Sequence, residues 1–132
     1  MAIRKKVRPR RVLLIDDDDQ IRRLYERFFT LSGYEIQIAS DADSALEISR
    51  HWRPDVVLLD LMMPDVRGTE LIVVLKVQPA NRKALFVAFS GSGMQEDLER
   101  MTSAGFDDVI PKGQEASVVV ARVRDLLAER DR

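Results

Sequence analysis

The sequence contains no cysteine among its 132 residues. This absence excludes disulfide bonds, thiolate metal ligands and thiol nucleophiles, and it is compatible with a reducing compartment such as the cytoplasm. No apolar run approaches the length of a membrane span, and the basic N-terminus is not followed by the apolar core of a signal peptide. We therefore expect a cytoplasmic protein without a membrane partner.

Two features common at sites of phosphate chemistry are scarce or missing from the sequence, namely histidine residues and glycine-rich loops. His51 is the one histidine, and it lies in a polar stretch at the end of a predicted helix. No glycine-rich loop of the kind that cradles nucleotide phosphates is present. An ATP-driven kinase and a histidine-based phosphotransferase are therefore disfavoured. The apolar fraction of 45% is enough for one globular domain with a buried core.

The charge is unevenly distributed along the chain. Six basic residues and no acidic residue precede the first apolar run: Arg4, Lys5, Lys6, Arg8, Arg10 and Arg11. Because the net charge is −1, the rest of the chain carries −7. Such a leader can contact nucleic acid or a membrane surface. No aromatic residue is interleaved with the charges, so we expect residues 1–10 to be a solvated tail without direct nucleic-acid binding.

Five strand-like segments alternate with five helix-like segments over residues 11–130, the predicted folded domain. Residues 12–15, 56–59 and 84–89 are continuous apolar runs, which is typical of central strands in a parallel sheet. Residues 35–39 alternate in polarity and residues 108–110 form a short run, as expected of edge strands. The pattern predicts an α/β fold, a doubly wound parallel sheet of five strands in the order 2-1-3-4-5 with helices on both faces.

Apolar residues at helical spacing predict the helices. The face of the first helix that turns toward the sheet is predicted to contain Ile21, Leu24, Tyr25, Phe28 and Leu31. The fourth and fifth helices are predicted over residues 95–104 and 116–129. The third is apolar on more than one face at residues 71–75, which leaves two interpretations open. It is either a partner or homodimer surface, or a helix largely buried against the sheet with one exposed valine.

Carboxylate, hydroxyl or ammonium side chains stand at the ends of four of the five predicted strands. Asp16 and Asp17 end the first strand and Asp60 ends the third, so the 2-1-3-4-5 order brings three carboxylates to one edge of the sheet. Three carboxylates repel one another unless a cation lies between them, and Mg²⁺ prefers such oxygen ligands. Ser90 and Lys112, at the ends of the fourth and fifth strands, can bind an oxyanion beside the metal.

This set of groups describes a phosphoryl site, because phosphoryl transfer mainly requires positioning and charge neutralisation. A carboxylate can act as the nucleophile and form an acyl phosphate. Each residue also has an ordinary structural interpretation: a strand-end aspartate is often a helix cap, Lys112 a surface lysine and Ser90 a turn residue. The coincidence of all five side chains at one edge favours the phosphoryl site. Asp18, in the same acidic run, is predicted to cap the first helix.

Four motifs together resemble a known family. They are residues 12–18 (VLLIDDD) with Arg22, residues 54–65 (PDVVLLDLMMPD) with Gly68, Ser90-Gly91, and residues 105–108 (GFDD) with Lys112. In combination the chain resembles a response-regulator receiver domain of two-component signalling, from about residue 11 to residue 129. The resemblance implies a flavodoxin-like (βα)5 fold and a phosphorylatable switch, either a stand-alone protein or a piece of a longer regulator.

The resemblance also implies a role for each site residue. Asp60 would accept a phosphoryl group from a histidine kinase or a histidine phosphotransfer protein. Asp17 and Asp60 would bind Mg²⁺ directly, Asp16 largely through a metal-bound water, and Met62 through its backbone carbonyl. Ser90 and Lys112 would contact the phosphoryl oxygens. Phosphorylation would change contacts with a downstream protein, and the chain would catalyse only its own phosphoryl transfer and self-dephosphorylation.

Three positions depart from the family pattern. Val109 replaces the usual aromatic residue three positions before the lysine, Gly113 replaces the usual proline after it, and Arg67 stands where Asp or Asn is common. These departures leave open an alternative, a receiver-like interaction module that is never phosphorylated. A Mg²⁺-dependent phosphatase is a third class, but such enzymes need an acidic residue two positions after the nucleophile, where this chain has Met62.

Overall fold

A computed structural model describes residues 8–91 and 98–132. Its strands are β1 (Arg11–Ile15), β2 (Glu35–Ala39), β3 (Val56–Asp60), β4 (Leu85–Ser90) and β5 (Asp108–Pro111). Its helices are α1 (Asp19–Leu31), α2 (Ala42–Ile48), α3 (Gly68–Lys76), α4 (Leu98–Ala104) and α5 (Ala116–Arg130), with a 3₁₀ turn at Pro79–Asn81. The predicted start of the fourth helix, at residue 95, lies outside the described residues.

All strand pairs are parallel, and the sheet order is β2-β1-β3-β4-β5. The predicted doubly wound fold is therefore confirmed. The three central strands are almost fully buried, whereas the edge strand β2 is largely half-exposed. This contrast follows from sequence, because the central strands are continuous apolar runs and β2 alternates in polarity.

Two apolar cores lie on opposite faces of the sheet. Side chains of α1 and α5 pack on one face, around Tyr25, Phe29 and Phe89. Side chains of α2, α3 and α4 pack on the other, around Leu59 and Phe86. Successive residues of a strand point to opposite faces, so β4 supplies one large aromatic ring to each core. No helix in the described ranges is both long enough and apolar enough to cross a bilayer.

The inward face of α1 differs from the prediction. Tyr25 and Phe29 are buried, but Leu24 and Leu31 are 45% and 75% exposed. Tyr25 and Phe29, one helical turn apart, define the centre of the buried stripe, and Leu24 and Leu31 fall outside it. The expected inward position of these two leucines was therefore wrong.

Helix α3 shows the burial expected from one of its two interpretations, with a difference of detail. Leu71, Ile72 and Leu75 are buried against the sheet. Val73 and Val74 are both exposed, by 60% and 44%, where a single exposed valine was expected. A partner or dimer surface on this helix stays a prediction.

Two aspartates begin the helices that flank the acidic edge of the sheet. The side chain of Asp18 accepts hydrogen bonds from the amides of Gln20 and Ile21, which confirms it as the cap of α1. Asp41 caps α2 and forms a reciprocal capping box with Ser44. Each cap satisfies amides that would otherwise lack a partner, and it fixes where the helix begins.

At the amino-terminal ends of the strands, ion pairs of Arg10 join parts of the chain that are distant in sequence. Arg10 lies 3.5 Å from Asp55 and also pairs with Asp131, just after α5. Arg130 donates a hydrogen bond to the carbonyl of Asp55. The first strand, the entry to β3 and the end of α5 are thereby joined. The division between a tail at residues 1–10 and a domain at residues 11–130 remains a prediction.

Gly105 ends α4 with a positive φ of 110°, and a Cβ atom there would lie 3.0 Å from Nζ of Lys76. Gly105→Ala should therefore reduce the free energy of unfolding by about 1–2 kcal/mol, measured by urea denaturation. Gly91→Ala is the control, because a Cβ atom there would meet no atom of the described residues within 4 Å and the φ of Gly91 is not positive. Equal effects of the two substitutions would contradict this account of the turn.

Candidate functional site

Three carboxylates meet at the carboxyl edge of the sheet, between β1 and β3. Ile15 is the register partner of Leu59, so the residues that follow each strand lie side by side. One oxygen from each of Asp16, Asp17 and Asp60 lies within 4.8 Å of the others. Asp16 and Asp60 are buried, whereas Asp17 is exposed. The sequence prediction that these residues converge is confirmed.

Asp16 is fixed by contacts on both of its oxygens and on its backbone. Oδ1 accepts a hydrogen bond from the amide of Asp18 at 2.9 Å. The carbonyl of Asp16 accepts a hydrogen bond from the guanidinium of Arg22 at 2.8 Å. Oδ2 lies 2.9 Å from Nζ of Lys112 as an ion pair, but it accepts no well-aligned hydrogen bond from the described residues. One buried acceptor is therefore available for a further ligand.

Asp60 is held at the end of β3 by the loop that follows it. Its Oδ1 accepts a hydrogen bond from the amide of Met62 at 2.9 Å and lies 3.1 Å from Nζ of Lys112. Gly68 begins α3 directly against this loop, since a Cβ atom there would lie 2.8 Å from the Leu61 side chain and 3.2 Å from the carbonyl of Asp60. Glycine at position 68 is thus what allows α3 to approach the acidic residue so closely.

Lys112, which directly follows β5, contacts both buried carboxylates at the carboxyl edge of the sheet. Its amide donates to the carbonyl of Ser90, which places the lysine at the end of β4 although it follows β5. Burial lowers the pKa of Lys112, but the attraction of Asp16 and Asp60 outweighs burial, and the pKa is raised. The ammonium is therefore protonated at neutral pH and neutralises part of the acidic cluster.

The donor set fits a hard divalent cation. Three carboxylates lie close together, one of them exposed to solvent, and a buried oxygen of Asp16 has no well-aligned donor among the described residues. Mg²⁺ binds to carboxylates while keeping several waters, which suits a site with one exposed side. Asp16, Asp17 and Asp60 are the residues that would hold it.

The other residues predicted for the site are also close to it. Ser90 is buried at the end of β4, next to the lysine backbone. Met62 directs its amide toward Asp60 and its side chain is exposed, while the role of its carbonyl as a metal ligand stays a prediction. The contact between the Phe89 ring and Lys112 was not predicted, because the sequence carries no pattern that separates an aromatic residue near the site from one in the core.

Comparisons with known proteins agree with the geometry. The family model for the response regulator receiver domain matches residues 12–124. The response regulator MprA of Mycobacterium sp. (strain KMS) is 33% identical over 119 residues, which cover 90% of this chain and 51% of that protein. The transcriptional regulatory protein PrrA of Mycobacterium leprae (strain TN) is 32% identical over 120 residues, covering 91% and 51%.

Solved structures show the same fold. A CheY-like response regulator receiver domain protein from Methanospirillum hungatei JF-1 superposes with a TM-score of 0.83 at 24% identity, covering 94% of this chain and 98% of that one. The receiver domain of the Francisella response regulator 1452 superposes with a TM-score of 0.80 at 27% identity, covering 93% and 99%.

The fold and the acidic site define a signalling switch of two-component systems that is controlled by phosphorylation. The chain belongs to the response regulator receiver domain family. It spans about half the length of the curated relatives that it matches.

The raised pKa of Lys112 predicts how stability depends on pH in the absence of metal. Lys112→Met leaves two buried carboxylates without their cation and should lower the free energy of unfolding by about 2–3 kcal/mol at pH 7. The stabilisation by Lys112 is complete below the unfolded lysine pKa of about 10.4 and is lost as pH rises through the higher folded value. The difference between the two proteins should therefore shrink in strongly alkaline buffer.

Urea denaturation with EDTA, at pH 7 and at a series of pH values rising from 10.4, measures this difference. Lys76→Met is the control, since Lys76 is an exposed lysine at the end of α3. A loss of stability in Lys112→Met that is small or independent of pH would contradict the ion-pair account.

Proposed function

We propose that Asp60 is the phosphoacceptor of this receiver domain and that Mg²⁺ is its metal. The observation that carries the proposal is the pair of contacts from Lys112 Nζ to the two buried carboxylates, 2.9 Å to Asp16 and 3.1 Å to Asp60. An ammonium ion between a nucleophile and a metal ligand is placed to pair with a phosphoryl oxygen.

The reaction is a transfer between a phosphorylated histidine and Asp60. A carboxylate oxygen of Asp60 attacks phosphorus, the P–N bond breaks, and its electron pair returns to the imidazole ring of the donor. Mg²⁺, when bound, supplies charge neutralisation for the phosphoryl oxygens. The amide of Met62 orients the nucleophile, because it already donates to Asp60 Oδ1. The ammonium of Lys112 pairs with the negative charge on the phosphoryl oxygens.

Ser90 and the neighbouring backbone complete the site. Ser90 is 4% exposed and its carbonyl accepts the amide of Lys112, so a shift of either residue affects the other. In our proposal the Ser90 hydroxyl donates to a phosphoryl oxygen, and exposed Gly91 leaves access for the donor. In self-dephosphorylation a water molecule attacks the same phosphorus, the P–O bond to Asp60 breaks, and inorganic phosphate leaves as the Asp60 carboxylate is restored.

The partners belong to the same proposal. A histidine kinase or histidine phosphotransfer protein supplies the phosphoryl group, and a downstream protein responds to the phosphorylated state in the cytoplasm. The family membership and the two-component relatives support this assignment. The added negative charge of the acyl phosphate attracts Lys112 and Ser90 toward Asp60. This attraction shifts the loops that carry the two residues.

Intact-mass analysis after incubation with a small acyl-phosphate donor tests the phosphoacceptor. We expect a phosphoryl adduct that requires Mg²⁺ and is absent from Asp60→Ala. Asp43→Ala is the matched control, because Asp43 is an exposed acidic residue in the first turn of α2. No adduct, under conditions where another receiver domain is labelled, would favour the interaction module that is never phosphorylated.

Mg²⁺ binding is tested separately, by titrating the metal without any phosphoryl donor. Asp17→Asn should weaken Mg²⁺ binding at least about tenfold, because the exposed carboxylate of the cluster is a direct ligand in our proposal. Asp43→Asn should leave the dissociation constant unchanged. Equal affinities of the wild type and Asp17→Asn would exclude Asp17 as a ligand.

A further inference from the structure

The ammonium of Lys112 lies over an aromatic ring as well as beside two carboxylates. Its Nζ is 5.7 Å from the centroid of the Phe89 ring. A lysine within about 6 Å of a ring face is attracted to it by the ring quadrupole, and the attraction grows as water is excluded. Phe89 is 1% exposed, and the Lys112 side chain is 19% exposed, so this contact is largely removed from water.

Phe89 lies on β4, between the strand that ends in Asp60 and the strand that precedes Lys112. Phe89 is the register partner of Asp60 on β3 and of Ile110 on β5. Its carbonyl accepts a hydrogen bond from the amide of Leu61 at 3.2 Å. The ring is thus carried by β4, the strand paired with the one that ends in Asp60, and its location relative to Asp60 is fixed by the sheet.

A second aromatic side chain holds the ring of Phe89. Tyr25 on α1 contacts it edge to face, with centroids 5.4 Å apart and an interplanar angle of 76°. Edge-to-face pairs add a specific orientation to ordinary burial. Tyr25 in turn packs on Phe29 at 6.3 Å, so the ring under the lysine is supported by the centre of the α1 interface.

This family usually has an aromatic residue at position 109, and that position lies on the other face of the sheet from Phe89. Val109 is packed against the core that contains Phe86, on the opposite face of the sheet from Phe89 and Tyr25. A valine has no ring face to offer a cation. The aromatic contact to Lys112 is therefore made from β4 and not from β5.

We propose that Phe89 is a positioning residue for Lys112, with Tyr25 holding its ring in the orientation that presents a face to the ammonium. The ring limits the directions in which the flexible lysine can point, so that the ammonium stays between Asp16 and Asp60. The inference rests on the proposed function, because the consequence of misplacing Lys112 is measured as phosphorylation of Asp60.

The chain contains a matched control for this role. Phe86 lies on the same strand, is also 1% exposed, and has a lysine over its ring, Lys76 at 5.6 Å. Lys76 lies at the end of α3, and the Phe86 ring belongs to the other core. Replacing either phenylalanine should affect packing alike, but only Phe89 should affect the acidic site.

The test compares Phe89→Leu, Phe86→Leu and the wild type with a small acyl-phosphate donor at saturating Mg²⁺. We expect the rate constant of Asp60 labelling to fall about threefold to tenfold in Phe89→Leu and to stay near the wild-type value in Phe86→Leu. Urea midpoints of both variants, measured in parallel, show how much of any effect is general destabilisation. A similar loss of rate in both variants would assign Phe89 to packing only.

Fluorinated phenylalanines at position 89 separate the ring charge from the ring shape. Progressive fluorination weakens the negative face of the ring while nearly preserving its size. The labelling rate should fall stepwise with fluorine content at position 89 and not at position 86. A constant rate across the position-89 series would overturn the proposal. Failure of the wild type to be labelled would instead overturn the proposed function, so the two failures are distinguishable.

An NMR readout is independent of phosphorylation. The side-chain methylene protons of Lys112 should show an upfield ring-current shift in the wild type that disappears in Phe89→Leu and persists in Phe86→Leu. Wild-type protons at ordinary lysine shifts would contradict the contact itself.

Discussion

The contact of one lysine with two buried carboxylates organises the acidic edge of this domain. Asp16 and Asp60 come from different strands and would repel each other in a buried site without a cation. Lys112 lies within 3.1 Å of both, and its own position is set by a backbone hydrogen bond to Ser90. The strand order, the close approach of α3 at Gly68 and the cap of α1 all serve to bring these groups together.

Much of the fold could be predicted because its signals are local. Continuous apolar runs identified the central strands, polar alternation identified β2, and the predicted Asp18 cap identified the start of α1. The carboxylate cluster followed from strand order alone, since parallel strands place their carboxyl ends at one edge. The convergence of Asp16, Asp17 and Asp60 is thus a consequence of topology that sequence reasoning can reach.

Features that depend on side-chain direction could not be predicted in the same way. Leu24 and Leu31 fit the apolar spacing of α1, but the pair Tyr25 and Phe29 determines which stripe is buried. The placement of the Phe89 ring under Lys112 depends on which face of β4 each residue occupies relative to β5. Spacing identifies a helix or strand, whereas three-dimensional packing decides which neighbours meet.

If Lys112 and a divalent metal share the same carboxylates, Mg²⁺ binding must perturb the Lys112 side chain. NMR signals of the Lys112 side chain are followed during a Mg²⁺ titration of the unphosphorylated protein. We predict that they shift with the same dissociation constant as the amides of Asp17 and Met62, because the metal changes the charge on Asp16 and Asp60. Metal binding that shifts those amides and leaves Lys112 unchanged would contradict the account.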